Sequence, residues 1–194
     1  MRSAPFRWGH GFGRWYADLS RVANRDRRAD ALIALVRRFR LGRPGAPVFL
    51  VAKSGGSGVV VRALEGLEPE SVERAILLAP ALSPAYDLSG ALRAVRGELV
   101  VFWSPLDLIV LGAGTRVFGT ADRVRTASAG LVGFRVPGDA GSDPRHPYAR
   151  LRQVRWSPRM ALAGNLGGHV GPDSPVFLRR YVLPLLRTGP GAGC

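Results

Sequence analysis

Residues 48–58 read VFLVAKSGGSG, and this stretch decides the fold. Five apolar residues run together between Pro47 and a glycine cluster. That pattern suits a short strand covered on both faces, as in a parallel sheet. A helix is predicted to follow over residues 59–67. Ser54 then stands in a sharp strand-to-helix turn, with Ala52 two residues before it and Gly56 two after. Such a turn holds a serine exposed in a strained backbone, and bulky side chains at those flanking positions would collide. The following helix aims its first N–H groups and the positive end of its dipole at Ser54, where charge developing on a substrate oxygen would be stabilised. A phosphate-binding loop has the same outline. It requires Gly-Lys-Ser/Thr, however, whereas Lys53 precedes the serine here, and no GxGxxG is present in this stretch.

The same period recurs outward from this stretch. AILLA at 75–79 and LVVFW at 99–103 are further buried strands, and VGFRV at 132–136 is the candidate fourth. Helices are predicted at 24–40, 89–95 and 174–186. The first carries Ala31, Leu32, Leu35, Val36 and Phe39 at helical spacing and stops at LGRPG. The second has Asp87 or Ser89 as its cap. The last turns Phe177, Tyr181, Val182 and Leu185 inward, with Pro184 in its final turn. A short strand is expected at 6–8, and PGDAGSDPRHP at 137–147 is loop. Strands alternating with helices predict a parallel sheet covered on both faces, in one domain over residues 1–194.

Composition agrees and excludes several classes. A chain of 194 residues, 46% hydrophobic and 22% charged, can bury a core without disulfides or metals. The 25 Gly and 15 Pro are scattered, which implies tight turns and excludes collagen. The net charge is +14, yet the only lysine is Lys53 and the arginines form no stripe or block, so no specific nucleic-acid partner is expected. The single cysteine, Cys194, excludes an internal disulfide and a cysteine-based zinc site. No apolar run is long enough to span a membrane or to form a signal-peptide core, so a cytoplasmic protein is expected.

A serine nucleophile needs a base, and the base needs an orienting acid. The histidines are His10, His146 and His169. His169 lies in GNLGGHVG, just before the last helix, and His146 is the alternative base in a polar loop. Asp107 lies in SPLD, just beyond the carboxyl end of LVVFW, where open α/β sheets place their functional groups. The lesser reading is that it caps the segment after it, LIVLGAG. Asp122 is the next candidate acid, followed by Asp87 and Asp139.

Ser54, Asp107 and His169 follow the chain order Ser…Asp…His, and from about residue 6 to 186 the sequence resembles the α/β-hydrolase family. AKSGG is similar to that family's G-x-S-x-G, with Ala52 at the first glycine position. VERAILLAPAL resembles its next strand and loop, VVFWSPLD the strand that carries the acid, and GNLGGHVG the histidine loop. The resemblance implies an α/β three-layer sandwich with a mostly parallel sheet, reduced at the N-terminus because only 53 residues precede Ser54. SPAYDLSGALRAV is too short for a lid. The resemblance further implies a serine hydrolase with Ser54 as nucleophile, His169 as base, Asp107 as acid and the Gly55 N–H as an oxyanion donor. HGFG at 10–13 resembles the loop that supplies the second donor, which adds His10 and Gly11 to the oxyanion set. Lys53 stands where the family most often has His, and beside the nucleophile it joins the oxyanion and substrate-binding candidates. The substrate would be a small molecule with an ester or other acyl bond, and no cofactor or metal is implied. The alternative is a scaffold of the same fold that binds without catalysis. A second copy of the chain could supply absent edge strands, giving a homo-oligomer.

Overall fold

The computed structural model describes Pro5, residues 22–138, Ala140 and residues 143–187. The strand expected at 6–8, Trp8, Trp15, His10, Gly11, Asp139 and Cys194 lie outside them.

Four strands form the described sheet: β1 (Phe49–Lys53), β2 (Arg74–Leu78), β3 (Leu99–Trp103) and β4 (Leu151–Arg155). All neighbours are parallel, in the order β1-β2-β3-β4. Side chains alternate between the two faces, as the pleat requires. Ala75, Leu77, Leu99 and Val101 join the cluster under the helices α1 (Val22–Gly42), α2 (Gly56–Glu65) and α3 (Ser89–Arg93). Ile76, Leu78, Val100 and Phe102 face the other way, against Met160, Phe177, Val182 and Leu185. The result is helix, sheet, helix. Each large apolar side chain fully withdrawn from water in these layers contributes about 1.5–3 kcal/mol.

Three expectations need correction. The fourth strand is Leu151–Arg155, and 132–136 is not a strand. Residues 129–132 form a helical turn, and Gly133 departs from it at φ +82°. The backbone of Phe134 is then satisfied by a side chain: its N–H donates to Gln153 Oε1 (2.7 Å), and its carbonyl accepts from Gln153 Nε2 (2.9 Å). Second, β1 is half-covered, with Val51 45% exposed, because β2 is its one strand neighbour among the described residues. Third, α1 buries Ala29, Leu32 and Val36, and turns Ala31, Leu35 and Phe39 outward. The winning seam follows the relief of α2. Gly66 leaves a hollow that Ile33 fills, since a Cβ there would lie 2.6 Å from Ile33 Cδ1.

The remaining helices are short. The terminal helix winds in three ways: α-helical at Pro175–Phe177, wider at Leu178–Val182 and tighter at Leu183–Leu186. Pro184 lies in that last turn, where it offers no N–H. Among the described residues no helix is long and apolar enough to cross a membrane.

Two contacts brace the loops that leave β2 and β3. Gly130 donates to Pro80 O (2.8 Å) and accepts from Ser104 N (2.9 Å), joining the exits of β2 and β3. A Cβ at Gly130 would lie 2.6 Å from the Ala79 carbonyl carbon and 2.8 Å from Pro80 O. Tyr86 donates to Glu65 Oε1 (2.7 Å), pinning the β2–α3 loop to the end of α2.

Gly130→Ala is expected to destabilise the fold by about 1–3 kcal/mol through overpacking against backbone. Gly42→Ala, where a Cβ meets nothing within 4 Å, should stay within about 0.5 kcal/mol. Urea titrations of the two variants check this. Burial, and then the bond to Glu65, pushes the Tyr86 phenol well above its ordinary value. Its contribution is therefore complete below about pH 10 and fades above it, as the unfolded phenol ionises. The stability gap between wild type and Tyr86→Phe should narrow at high pH in the same titration.

Candidate active site

Between β1 and α2 the chain turns at Ser54, whose φ of +51° lies in the left-handed region. For a residue with a Cβ that conformation costs about 1–3 kcal/mol and persists only where neighbours enforce it. They do so here. Ser54 N donates to Leu78 O (3.0 Å), and its carbonyl accepts from Ser57 N (3.0 Å) and Ala81 N (3.2 Å). Gly58 N then bonds Gly55 O (3.1 Å) as the helix begins. The Gly55 and Gly56 N–H groups stand at the helix start, where no intrahelical acceptor is available.

On the far side of β2, Ser104 Oγ accepts from Leu106 N (3.2 Å) and shapes the loop to Asp107. The Asp107 carboxylate is only 3% exposed. Oδ1 accepts from Leu111 N (3.4 Å), within the wide helical run Leu108–Gly114, and Oδ2 lies 2.7 Å from His169 Nδ1. Asp107 thus contacts both the start of the next segment and the histidine ring. With Nδ1–H donating to the carboxylate, Nε2 is the ring nitrogen left to accept a proton.

The histidine loop is shaped by Asn165, which is buried. Its Oδ1 accepts from Gly167 N (3.0 Å), and its carbonyl accepts from Trp156 Nε1 (2.7 Å). Gly167 has φ +87° and lies against Leu106, where a Cβ would be 2.7 Å from Cδ1. A narrow apolar cleft opens behind Asp107, lined by Phe102, Trp103, Trp156 and Met160. Trp103 also carries the Arg155 guanidinium over its ring at 5.5 Å.

The structure thus brings Asp107 to His169. No hydrogen bond joins the Ser54 hydroxyl to His169 among the described residues. Lys53, next to Ser54, forms an ion pair with Asp173. The alternative acids are occupied elsewhere. Asp122 accepts from Ser83 N (2.9 Å) and from the Ser83 hydroxyl. Asp87 accepts from Ser89 N and Oγ (both 2.9 Å), and these bonds, the backbone one first, hold its carboxyl below the usual range. His146 Nδ1 accepts from Tyr148 N (3.3 Å), which caps the turn Pro147–Arg150. His10, Gly11 and Asp139 lie outside the described residues.

Asn165 and Asp173 are the residues that sequence reasoning missed. A glycine-rich loop hides the asparagine, and the pair of Asp173 with Lys53 spans 120 positions. Asn165→Ala leaves the Gly167 N–H without its acceptor and is expected to cost about 1–3 kcal/mol in a denaturant titration.

A hydrolase family model described as Serine aminopeptidase, S33, matches residues 8–124, more than half of the chain. The match takes in Ser54 and Asp107 and ends before His169. No curated protein and no solved structure matches.

Proposed function

The chain belongs to the serine aminopeptidase S33 family of the α/β-hydrolases, and from that premise we propose a serine hydrolase that opens an ester or other acyl bond of a small molecule through an acyl-enzyme on Ser54. The observation that carries this reading is the contact of buried Asp107 with half-buried His169 at 2.7 Å, on the same carboxyl rim as a serine at φ +51°.

The chemistry follows from the groups present. Ser54 Oγ attacks the carbonyl carbon while His169 Nε2 takes the hydroxyl proton. Asp107 keeps Nδ1 protonated and steadies the imidazolium as it forms. Negative charge passes to the carbonyl oxygen, and the Gly55 N–H, at the positive end of α2, is aimed to receive it. His169 returns its proton to the leaving oxygen, and the acyl group remains on Ser54. Water then repeats the sequence and frees the acid. His10 and Gly11 are the proposed source of the second oxyanion donor.

A fluorophosphonate probe tests the reading. Ser54 Oγ should displace fluoride, and the intact mass should rise by one adduct. Ser54→Ala should abolish the adduct, and Asp107→Asn should slow it by roughly 10³–10⁴-fold. A p-nitrophenyl butyrate assay should show turnover that Ser54→Ala abolishes. Labelling that persists in Ser54→Ala refutes the assignment, and a folded wild type that never labels favours the non-catalytic scaffold.

A further inference from the structure

Lys53 is the last residue of β1, directly before Ser54. Asp173 is the last residue of the tight turn Gly171–Asp173, four positions after His169. The two side chains form an ion pair. Among the described residues it is the only hydrogen bond or ion pair that joins residues 53–58 to residues 164–174.

The geometry points to a clamp in which Lys53 and Asp173 tie the histidine loop to the nucleophile turn, so that both act as positioning residues for His169 relative to Ser54. Its catalytic consequence rests on the hydrolase reading of the same site, whereas its effect on loop order does not.

The loop can transmit such a restraint. Gly171 N bonds Gly168 O (2.9 Å), Asp173 N bonds Val170 O (3.0 Å) and Ser174 N bonds Gly171 O (3.2 Å). These consecutive turns leave little slack between Asp173 and His169. On its far side the loop is anchored by Asp107 through the imidazole, by Trp156 Nε1 on the Asn165 carbonyl, and by Ser174 Oγ on Ala163 O (2.6 Å). All three anchors tie it to the β3 and β4 side of the rim. Among the described residues only the lysine draws it toward β1. The Lys53 side chain is 25% exposed and that of Asp173 57%, so the pair is open to solvent on the aspartate side and salt should weaken it. Without the clamp, the imidazole keeps its acid but loses its fixed reach toward the serine. A displacement of about 1 Å at reacting atoms is enough to cost up to roughly 10²-fold in rate.

Lys53→Met, Asp173→Asn, the double variant and Lys53→Arg test the clamp, with circular dichroism melting to confirm that each is folded. Hydrogen–deuterium exchange of peptides covering 164–174 is read first, and should quicken in both single variants. The fluorophosphonate labelling rate is read second, and should fall about tenfold in each single variant. The double variant should label no more slowly than the slower single, because both changes remove one interaction. Lys53→Arg, which keeps the charge, should recover most of the rate. Unchanged exchange in both singles, or losses that multiply in the double variant, overturns the clamp. A wild type that never labels overturns the hydrolase reading instead, and the exchange measurement then decides the clamp alone.

Discussion

A carboxylate withdrawn from water must be partnered, and the site is arranged around one that is. Asp107 is 3% exposed, and an unpaired charge at that depth would neutralise or unfold its surroundings. His169 meets one oxygen and Leu111 N the other. The loop after β3 has to deliver the aspartate, and the loop after β4 has to deliver the histidine. Asn165, Gly167 and Leu106 then fix how closely those two loops can approach. The buried charge thus acts as a constraint on the backbone before it acts in any chemistry.

The opposite half of the rim depends on strain in place of charge. Ser54 and Ala79 follow β1 and β2, and both hold positive φ without being glycine. Each is braced by the next strand along: Ser54 N by Leu78 O, and Ala79 N by Phe102 O (2.9 Å). Two unfavourable turns side by side are kept in place by the same parallel ladder that orders the strands. This is how a modest sheet can present a hydroxyl outward without a large binding loop to hold it.

Much of this was legible in the chain itself. VFLVA, AILLA and LVVFW are apolar runs of strand length, and the structure places strands there within a residue. β4 was not legible. Its sequence, LRQVR, is polar because the strand lies at the sheet's edge, half-exposed, where arginine stems can lie along the surface. VGFRV misled for the converse reason, since a glutamine side chain supplies the pairing that a neighbouring strand would have given. The α1 seam was mistaken because two apolar stripes share Leu32 and Val36, and the contacts that separate them, such as Ile33 against Gly66, come from a different element. Within the site, Asp107 and His169 could be named from chain order and from their places after apolar runs. Lys53 with Asp173 could not, because a charge pair 120 residues apart leaves no periodic trace.

Charge usage along the chain has one more consequence. Of 28 basic residues, 27 are arginine, so the chain carries a single ε-amine, and it belongs to the residue next to the serine. Reagents that acylate amines ordinarily decorate a protein's whole exterior. Here they have one side-chain target, masked by a carboxylate and bordering the turn that would carry an acyl group. An activated-ester reagent would therefore have one lysine to modify besides the α-amine, and a lysine-specific adduct on this chain would report on the ion pair of Lys53 with Asp173 alone.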